Sequence, residues 1–250
     1  MWGISEGAPR MMRLDKAMVA AGLAESRARA QLLIDEGVVT VGGRVVRKAS
    51  QMVAPGEVAL LHNPIPWVSR AALKLVAGLD HFGLSPAGLV ALDLGASTGG
   101  FTEVLLARGA RRVFAVDVGH GQLHPSVRDR AEVVNLEGVN AKALPVDVPE
   151  VDCLVSDLSF ISLRKALEGP LARLRLGGWM VLLVKPQFEV GRAGVGKNGI
   201  VTDEALQEQA CADVAAYLEG AGACVLGIIP SPILGSDGNV EFLIAATHKK

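Results

Sequence analysis

Four ionisable side chains fall where predicted strands begin or end, or on the helix that leads into them. Asp157 and Lys185 each follow a predicted apolar strand, Glu241 precedes the last strand, and Lys74 lies on a predicted helix. A lysine at the end of a buried strand is costly unless acidic groups pair with it. Taken singly, each residue also fits an exposed or salt-bridged surface group. Together they predict a cluster of paired charges at one edge of a sheet.

A glycine-rich turn follows the first predicted strand of the same part of the chain. Gly95, Gly99 and Gly100 let the backbone turn tightly and approach a ligand closely. Ligands bind at the carboxyl ends of strands in open α/β sheets. The spacing is not that of the dinucleotide motif G-x-G-x-x-G. An ordinary strand-to-helix turn is the alternative, but Asp93 in the turn and Asp117 at the end of the next strand favour a ligand site.

A second glycine-rich segment, residues 191–198, nearly matches the phosphate-binding motif G-x-x-x-x-G-K-[ST]. Asn198 stands where that motif has a hydroxyl that binds magnesium, and no helix starts directly after it. We therefore interpret the segment as a mobile loop over the site and not as a nucleotide-triphosphate site. Thr202 is the predicted N-cap of the helix that follows.

Strands alternate with helices from about residue 70, which predicts an α/β fold with a mostly parallel sheet of seven strands. The predicted strands span residues 89–94, 112–117, 133–136, 151–157, 179–185, 224–229 and 240–247. The predicted helices span residues 70–82, 99–108, 160–173 and 203–220. This pattern places both glycine-rich segments and the four ionisable residues in one larger domain.

The segment before this domain is small and basic. Residues 10–50 carry eight basic and four acidic side chains, although the whole chain has a net charge of -1. Its pattern predicts two short helices, the second capped by Ser26, and a β-hairpin turning at Gly42 and Gly43. Such a surface suits contacts with RNA phosphates, although a solvated helix face remains the alternative.

Composition sets the remaining limits. Half of the residues are hydrophobic and 20% are charged, which is typical of a folded protein. Three cysteines without metal-ligand spacing fit a reducing, cytoplasmic location and predict no metal site. Because the sequence has no long apolar run, we expect no membrane partner. We also expect a monomer. We divide the chain into a disordered extension (1–10), a basic domain (11–61), a stiff proline-containing linker (62–69) and an α/β domain (70–250).

Several of these stretches resemble known families. The glycine turn, residues 93–102 (DLGASTGGFT), resembles the first motif of class I methyltransferases that use S-adenosylmethionine. The ordered Lys, Asp, Lys, Glu set resembles that of the FtsJ (RrmJ) family of RNA ribose 2′-O-methyltransferases. The basic segment resembles the S4 RNA-binding domain, and the whole resembles the TlyA family, often labelled hemolysin A. The matching stretches lie at residues 13–16, 26–29, 68–70, 73–75, 93–102, 116–119, 121–123, 156–160, 184–189 and 238–242.

The resemblance implies a Rossmann-like class I methyltransferase fold and the following sites. The catalytic residues would be Lys74, Asp157, Lys185 and Glu241. The S-adenosylmethionine site, which releases S-adenosylhomocysteine, would comprise Asp93, Gly95, Ala96, Ser97, Thr98, Gly99, Gly100, Phe101, Asp117, Asn140 and Asp157. Contacts to ribosomal RNA would come from Arg13, Arg27, Arg29, Arg44, Lys48 and Arg70.

The implied reaction is methyl transfer to a ribose 2′-hydroxyl of ribosomal RNA, with cytidine in the small or large subunit as target. Lys185 is the candidate base or hydroxyl-steering group. A base must be deprotonated to act; burial and a second cation, Lys74, favour that form, whereas the two carboxylates oppose it. Asp157 would orient Lys185, and Glu241 would hold Lys74. A non-catalytic RNA-binding factor with this fold, a hemolysin-like membrane-active protein and a small-molecule methyltransferase are the alternatives.

Overall fold

The computed structural model describes residues 11–24, 26–61, 66–191 and 194–249. The chain forms two compact units, Met1–Arg70 and Ala71–Lys250. The predicted extension and half of the predicted linker lie outside the described residues.

The first unit contains the two predicted helices and the predicted hairpin. Its helices are α1 (Leu14–Ala20) and α2 (Arg27–Asp35), and its strands are β1 (Met12–Arg13), β2 (Val39–Val41), β3 (Arg44–Val45), β4 (Met52–Val53) and β5 (Val58–Leu60). Ser26 caps α2 as predicted, because its hydroxyl accepts a hydrogen bond from the Arg29 amide at 3.1 Å. Strands β1, β4 and β5 were not predicted, since two or three residues are too short for a visible alternation.

A small apolar core holds this unit together. Leu14 and Met18 of α1 and Leu33 and Ile34 of α2 are almost completely buried and belong to one cluster. These positions recur at the spacing of one helix face, which is why the sequence predicted both helices. The hairpin β2–β3 adds β5 to form a three-stranded sheet in the order β3-β2-β5.

The second unit is a seven-stranded, mostly parallel α/β sheet of Rossmann-like topology. Its strands are β6 (Val90–Leu94), β7 (Arg112–Asp117), β8 (Val133–Glu137), β9 (Val151–Ser156), β10 (Leu174–Val184), β11 (Ala223–Pro230) and β12 (Phe242–His248). They follow the order β11-β12-β10-β9-β6-β7-β8. Strand β12 is antiparallel to both neighbours, and the pairs from β10 to β8 are parallel. The order reverses between β6 and β9, where such sheets bind ligands.

Helices connect these strands and cover the sheet. They are α3 (Ala71–Phe82), α4 (Gly100–Ala107), α5 (Pro125–Arg128), α6 (Leu163–Ala166), α7 (Glu168–Leu171), α8 (Pro186–Glu189) and α9 (Glu204–Gly220). The predicted helix over residues 160–173 is wrong in its extent, because only two single turns form there. Gly169 and Pro170 lie in the second of these turns and disfavour a longer helix.

Two further predictions about boundaries are corrected by the structure. Thr202 does not cap α9; Asp203 does, because its carboxylate accepts a hydrogen bond from the Ala205 amide at 2.9 Å. Strand β10 begins at Leu174 and not at Trp179, with an irregular register between those two residues. Gly177 and Gly178 hid this first part of the strand, since glycine is uncommon in strands.

Candidate active site

The four predicted ionisable residues meet in one network at the carboxyl end of the sheet. Lys185 Nζ lies 2.6 Å from Asp157 Oδ1. Lys74 Nζ lies 2.6 Å from Glu241 Oε2 and 3.6 Å from Asp157 Oδ2. Asp157 therefore stands between the two lysines and contacts both. We call these four residues the tetrad.

Strand register explains why residues so far apart in sequence come together. Strands β9 and β10 are parallel neighbours, so Asp157 and Lys185, the residues directly after them, emerge side by side. Strand β12 is antiparallel to β10 and pairs its Phe242 with Val184, which places Glu241 beside Lys185 in the register. Helix α3 contacts both β10 and β12 and supplies Lys74.

The side chains of the tetrad are largely buried. The side chains of Lys74 and Lys185 are 8% and 9% exposed, and those of Asp157 and Glu241 are 14% and 3% exposed. Two ammonium groups and two carboxylates sum to no net charge. Pairing of this kind is what permits charged groups to be buried, because an uncompensated charge would carry a large desolvation penalty.

Two residues that the sequence analysis did not single out complete this edge. Lys185 Nζ also contacts the hydroxyl of Ser159 at 2.7 Å. Phe160 has a φ of 65°, a conformation that is rare for a bulky residue, and the residue is 91% exposed. Both lie within the stretch 156–160 that matched the family, but a lone serine and phenylalanine gave no separate chemical signal. A strained, exposed aromatic residue beside a buried ion network points to a function for this loop.

A cavity of about 410 Å³ lies beside the tetrad and is lined by the glycine turn and by the loop after β9. Gly95 has a φ of 82°, and a Cβ there would lie 2.9 Å from the Asp157 carbonyl oxygen. No larger residue therefore fits where the two loops cross. Ser97, Asp117, Asn140 and Asp157 also line the cavity. Its volume suits a nucleoside-sized ligand.

Asp117 is oriented for ligand binding within this cavity. Its two carboxylate oxygens accept hydrogen bonds from the Ser97 amide at 2.9 Å and the Gly119 amide at 2.8 Å. Each oxygen keeps a further lone pair, so the fixed carboxylate can accept from two neighbouring hydroxyls, as on a ribose. Asn140 accepts from the Lys142 amide at 3.0 Å through its side-chain oxygen, which leaves its NH₂ group to bind a ligand. These residues fit S-adenosylmethionine.

Other predicted cofactor residues do not line the cavity. Asp93 is fully buried, and its Oδ2 accepts a hydrogen bond from Thr102 at 2.6 Å. Burial raises the pKa of Asp93 to about 7. Phe101 and Ala96 are also buried, Gly99 and Gly100 begin α4, and Thr98 is on the exposed part of the turn. Their direct contact with a cofactor stays a prediction.

Glu137 holds a loop that the sequence analysis did not connect with the cavity. Its Oε2 accepts from Asn135 at 2.9 Å, and its Oε1 accepts from the backbone amides of Gln122 and Leu123. These hydrogen bonds, the one from Asn135 first, lower the pKa of Glu137 to about 2. Because Gln122 lines the cavity, Glu137 fixes one wall of it. Glu137 ends β8, next to the strand that ends in Asp117, and that position was the available signal.

The second glycine-rich segment is only partly described, since residues 192 and 193 lie outside the described ranges. Asn239, which is 1% exposed, tethers its far end. The Asn239 side chain accepts from the Val201 amide and donates to the Gly199 carbonyl oxygen, both at 2.9 Å. Asn239 is two residues before Glu241, so this tether links the segment to the tetrad strand. The mobile-loop interpretation itself stays a prediction.

The predicted RNA contacts in the first unit differ in their surroundings. Arg13 and Arg27 both bind the buried carboxylate of Asp15, at 3.0 and 2.7 Å. Their guanidinium groups, that of Arg13 first, hold the pKa of Asp15 well below its usual range. Arg29 donates to the Trp67 carbonyl oxygen at 2.9 Å. The other three predicted contacts are Arg44 and Lys48, exposed on and after β3, and the half-buried Arg70.

Comparison with known proteins gives matches over almost the whole chain. The family model of FtsJ-like methyltransferases matches residues 67–248, and that of S4 domains matches residues 12–58. The 16S/23S rRNA (cytidine-2′-O)-methyltransferase TlyA of Mycobacterium tuberculosis is 42% identical, covering 94% of this chain and 89% of the relative. Hemolysin A of Brachyspira hyodysenteriae is 39% identical, covering 93% and 98%.

Solved structures agree with this fold. A protein from Streptococcus thermophilus described as a hemolysin has a TM-score of 0.77 at 36% identity, covering 97% of this chain and 90% of that one. A methyltransferase from Listeria monocytogenes described as dependent on S-adenosylmethionine has a TM-score of 0.55 at 16% identity, covering 72% and 100%. The second likeness shows the fold alone. Among the described residues, no helix is long and apolar enough to span a membrane.

Proposed function

The chain belongs to the TlyA family of FtsJ-like methyltransferases, and from this membership we propose that it methylates a ribose 2′-hydroxyl of ribosomal RNA with S-adenosylmethionine. The observation that carries the proposal is the buried tetrad beside a cavity that fits the cofactor. The name of the M. tuberculosis relative suggests cytidine in the small and large subunit RNAs as targets. A cytoplasmic location follows from such a substrate.

The cavity residues would hold the cofactor in one orientation. Asp117 would bind the ribose hydroxyls, and the side-chain amide of Asn140 would bind near the adenine. The tight turn at Gly95 would let the cofactor lie close to Asp157. When bound, S-adenosylmethionine supplies a methyl group on a positively charged sulfur, which is a good leaving group. The protein therefore has mainly to position the reactants and to remove one proton.

The tetrad would perform this second task. Lys185 takes up the proton of the 2′-hydroxyl in its deprotonated form. Asp157 holds the Lys185 amine at 2.6 Å and also lines the cofactor cavity, so it connects the base with the methyl group. Lys74, bound to Glu241 at 2.6 Å, also lies 3.6 Å from Asp157 and so shares that carboxylate with Lys185.

The exposed ring of Phe160 supports an RNA substrate. Bases that enter enzyme pockets leave their stack and pack on aromatic side chains. Phe160 lines the same cavity as Asp157 and is 91% exposed, so its face is available to a base. The first unit would add phosphate contacts through Arg44 and Lys48 of the hairpin. We retain the domain bounds 11–61, 62–69 and 70–250 as part of this proposal.

Methyl transfer to isolated ribosomal subunits tests the proposal. The purified chain is incubated with tritiated S-adenosylmethionine and either the small or the large subunit, and labelled RNA is mapped for ribose methylation. We expect label on a 2′-oxygen with the wild type. Lys185→Ala should lose transfer while its affinity for S-adenosylmethionine, measured by calorimetry, changes less than about threefold.

Lys249→Ala is the matched control, because Lys249 is exposed near the end of the chain. No label on either subunit, with cofactor binding intact, would favour a non-catalytic RNA-binding factor. Wild-type turnover by Lys185→Ala would instead refute the assignment of the base.

A further inference from the structure

Ser159 lies between the cofactor cavity and the buried amine of Lys185. The Ser159 residue is exposed and lines the cavity, together with Asp157 and Phe160. Its hydroxyl lies 2.7 Å from Lys185 Nζ, whose side chain is only 9% exposed. A hydroxyl of the substrate that enters the cavity therefore meets Ser159 more readily than it meets the lysine.

The chemistry of a hydroxyl suits this place. A hydroxyl accepts a hydrogen bond from an ammonium group, and after rotation it donates one to a neutral amine. The Asp157 carboxylate can only accept, so it binds N–H groups of Lys185 but cannot donate to the lone pair of the neutral amine. Ser159 can thus hold the amine in both protonation states that a base passes through.

The loop that carries Ser159 is fixed to the turn that follows Lys185. Glu189 of α8 accepts hydrogen bonds from the Leu163 amide at 2.7 Å and from the Ser162 hydroxyl at 2.6 Å. The rings of Phe160 and Phe188 also pack at 5.4 Å. Because both ends of the contact are braced in this way, the distance from Ser159 to Lys185 is set by the fold and not by two flexible side chains alone.

From this arrangement we infer that Ser159 is a further catalytic residue, which relays the proton of the substrate hydroxyl to Lys185. The inference rests on the proposed function. The 2′-hydroxyl proton moves to Ser159 Oγ while the Ser159 proton moves to the neutral Lys185 amine, which becomes an ammonium group. At the same time the 2′-oxygen bonds to the methyl carbon, and the electron pair of the broken carbon–sulfur bond stays on sulfur.

The relay is tested by single-turnover methyl transfer with Ser159→Ala and Ser159→Thr. Ser159→Ala should slow transfer about 100-fold, the lower end of the range for lost acid–base catalysis. Ser159→Thr keeps the hydroxyl and should stay within about tenfold of the wild type. Ser85→Ala, an exposed serine on the loop before β6, is the matched control and should transfer at the wild-type rate.

A second measurement separates a relay from a spacer. In mixtures of H₂O and D₂O, a relay moves two protons in one step, so the wild-type and Ser159→Thr rates should fall along a curve with the deuterium fraction. The residual rate of Ser159→Ala should fall along a straight line. Calorimetric S-adenosylmethionine binding and the urea midpoint of each variant confirm that it is folded.

Either of two results would overturn the relay. One is a Ser159→Ala rate within about threefold of the wild type. The other is an equal loss of rate in Ser159→Ala and Ser159→Thr, with both variants keeping the curved dependence on deuterium fraction of the wild type. An inactive wild type on every ribosomal substrate would overturn the proposed function itself, and the relay with it. An active wild type, with a Ser159→Ala variant that transfers methyl groups at the wild-type rate, would overturn the relay alone.

Discussion

Removal of Lys74 should show how strongly the tetrad depends on its charge balance. Lys74 Nζ lies 2.6 Å from Glu241 and 3.6 Å from Asp157 in a site where these carboxylates are 3% and 14% exposed. Lys74→Met keeps most of the side-chain volume but leaves both carboxylates with a single lysine. Breaking a buried pair in this way costs about 3–5 kcal/mol of the free energy of unfolding.

The same change at an exposed pair should have a much smaller effect. Arg108 lies 2.8 Å from Asp80, but these side chains are 41% and 55% exposed. Arg108→Met should therefore cost less than about 1 kcal/mol, since exposed ion pairs contribute little. The two variants compare ion pairs of similar length, 2.6 and 2.8 Å, that differ in burial.

Urea unfolding followed by circular dichroism measures both effects, and a third variant tests their cause. Lys74→Met/Glu241→Gln removes the excess negative charge and should regain most of the lost stability, while methyl transfer should be abolished in both variants. The reasoning would be refuted if Lys74→Met cost no more than Arg108→Met. It would also be refuted if the double variant were less stable than Lys74→Met.

Three other variants test the cavity, the buried carboxyl and the first unit. Asp117→Ala should weaken calorimetric S-adenosylmethionine binding at least about tenfold, because it removes the carboxylate that is fixed by Ser97 and Gly119; unchanged affinity would remove Asp117 from the site. Burial raises the pKa of Asp93 from 3.8 to about 7, so its neutral form stabilises the fold fully below about pH 4. That stabilisation should be lost as pH rises through 7, and Asp93→Asn should flatten this fall of a few kcal/mol in urea titrations; a wild-type slope in the variant would contradict it. Ser26→Ala should lower the stability of the first unit by about 1 kcal/mol in the same titrations, through loss of the α2 cap.

Much of the fold was predictable because its elements leave periodic traces in the sequence. Strand β7, Arg112–Asp117, was predicted to the residue, since an apolar run between charged ends marks a buried parallel strand. Helix α9 was recognised over its whole length, but its cap was placed one residue early because Thr202 and Asp203 are both good caps. Single turns such as α5 and α8 could not be predicted, since four residues do not complete a helical period.

The residues of the site also divide into those that the sequence predicted and those that it did not. Lys185, Asp157 and Glu241 were recognised because an ionisable residue at a strand end is conspicuous beside an apolar run. Ser159 and Glu137 were missed because their importance lies in partners that are 26 and 15 residues away in sequence. A serine and a glutamate of this kind are common on surfaces, so only the fold reveals which of them contacts a lysine or holds a cavity wall.

Charge movement gives the tetrad a single physical rationale within the proposed reaction. Methyl transfer removes the positive charge of the sulfonium, and the proton released by the hydroxyl places a positive charge on Lys185. The unit charge thus moves from the cavity to the base, and Asp157 borders both places because it lines the cavity and lies 2.6 Å from Lys185. One fixed carboxylate therefore faces positive charge before and after the step. Pre-arranged groups of this kind require little reorganisation during the reaction, and such electrostatic stabilisation is usually the largest single contribution to catalysis.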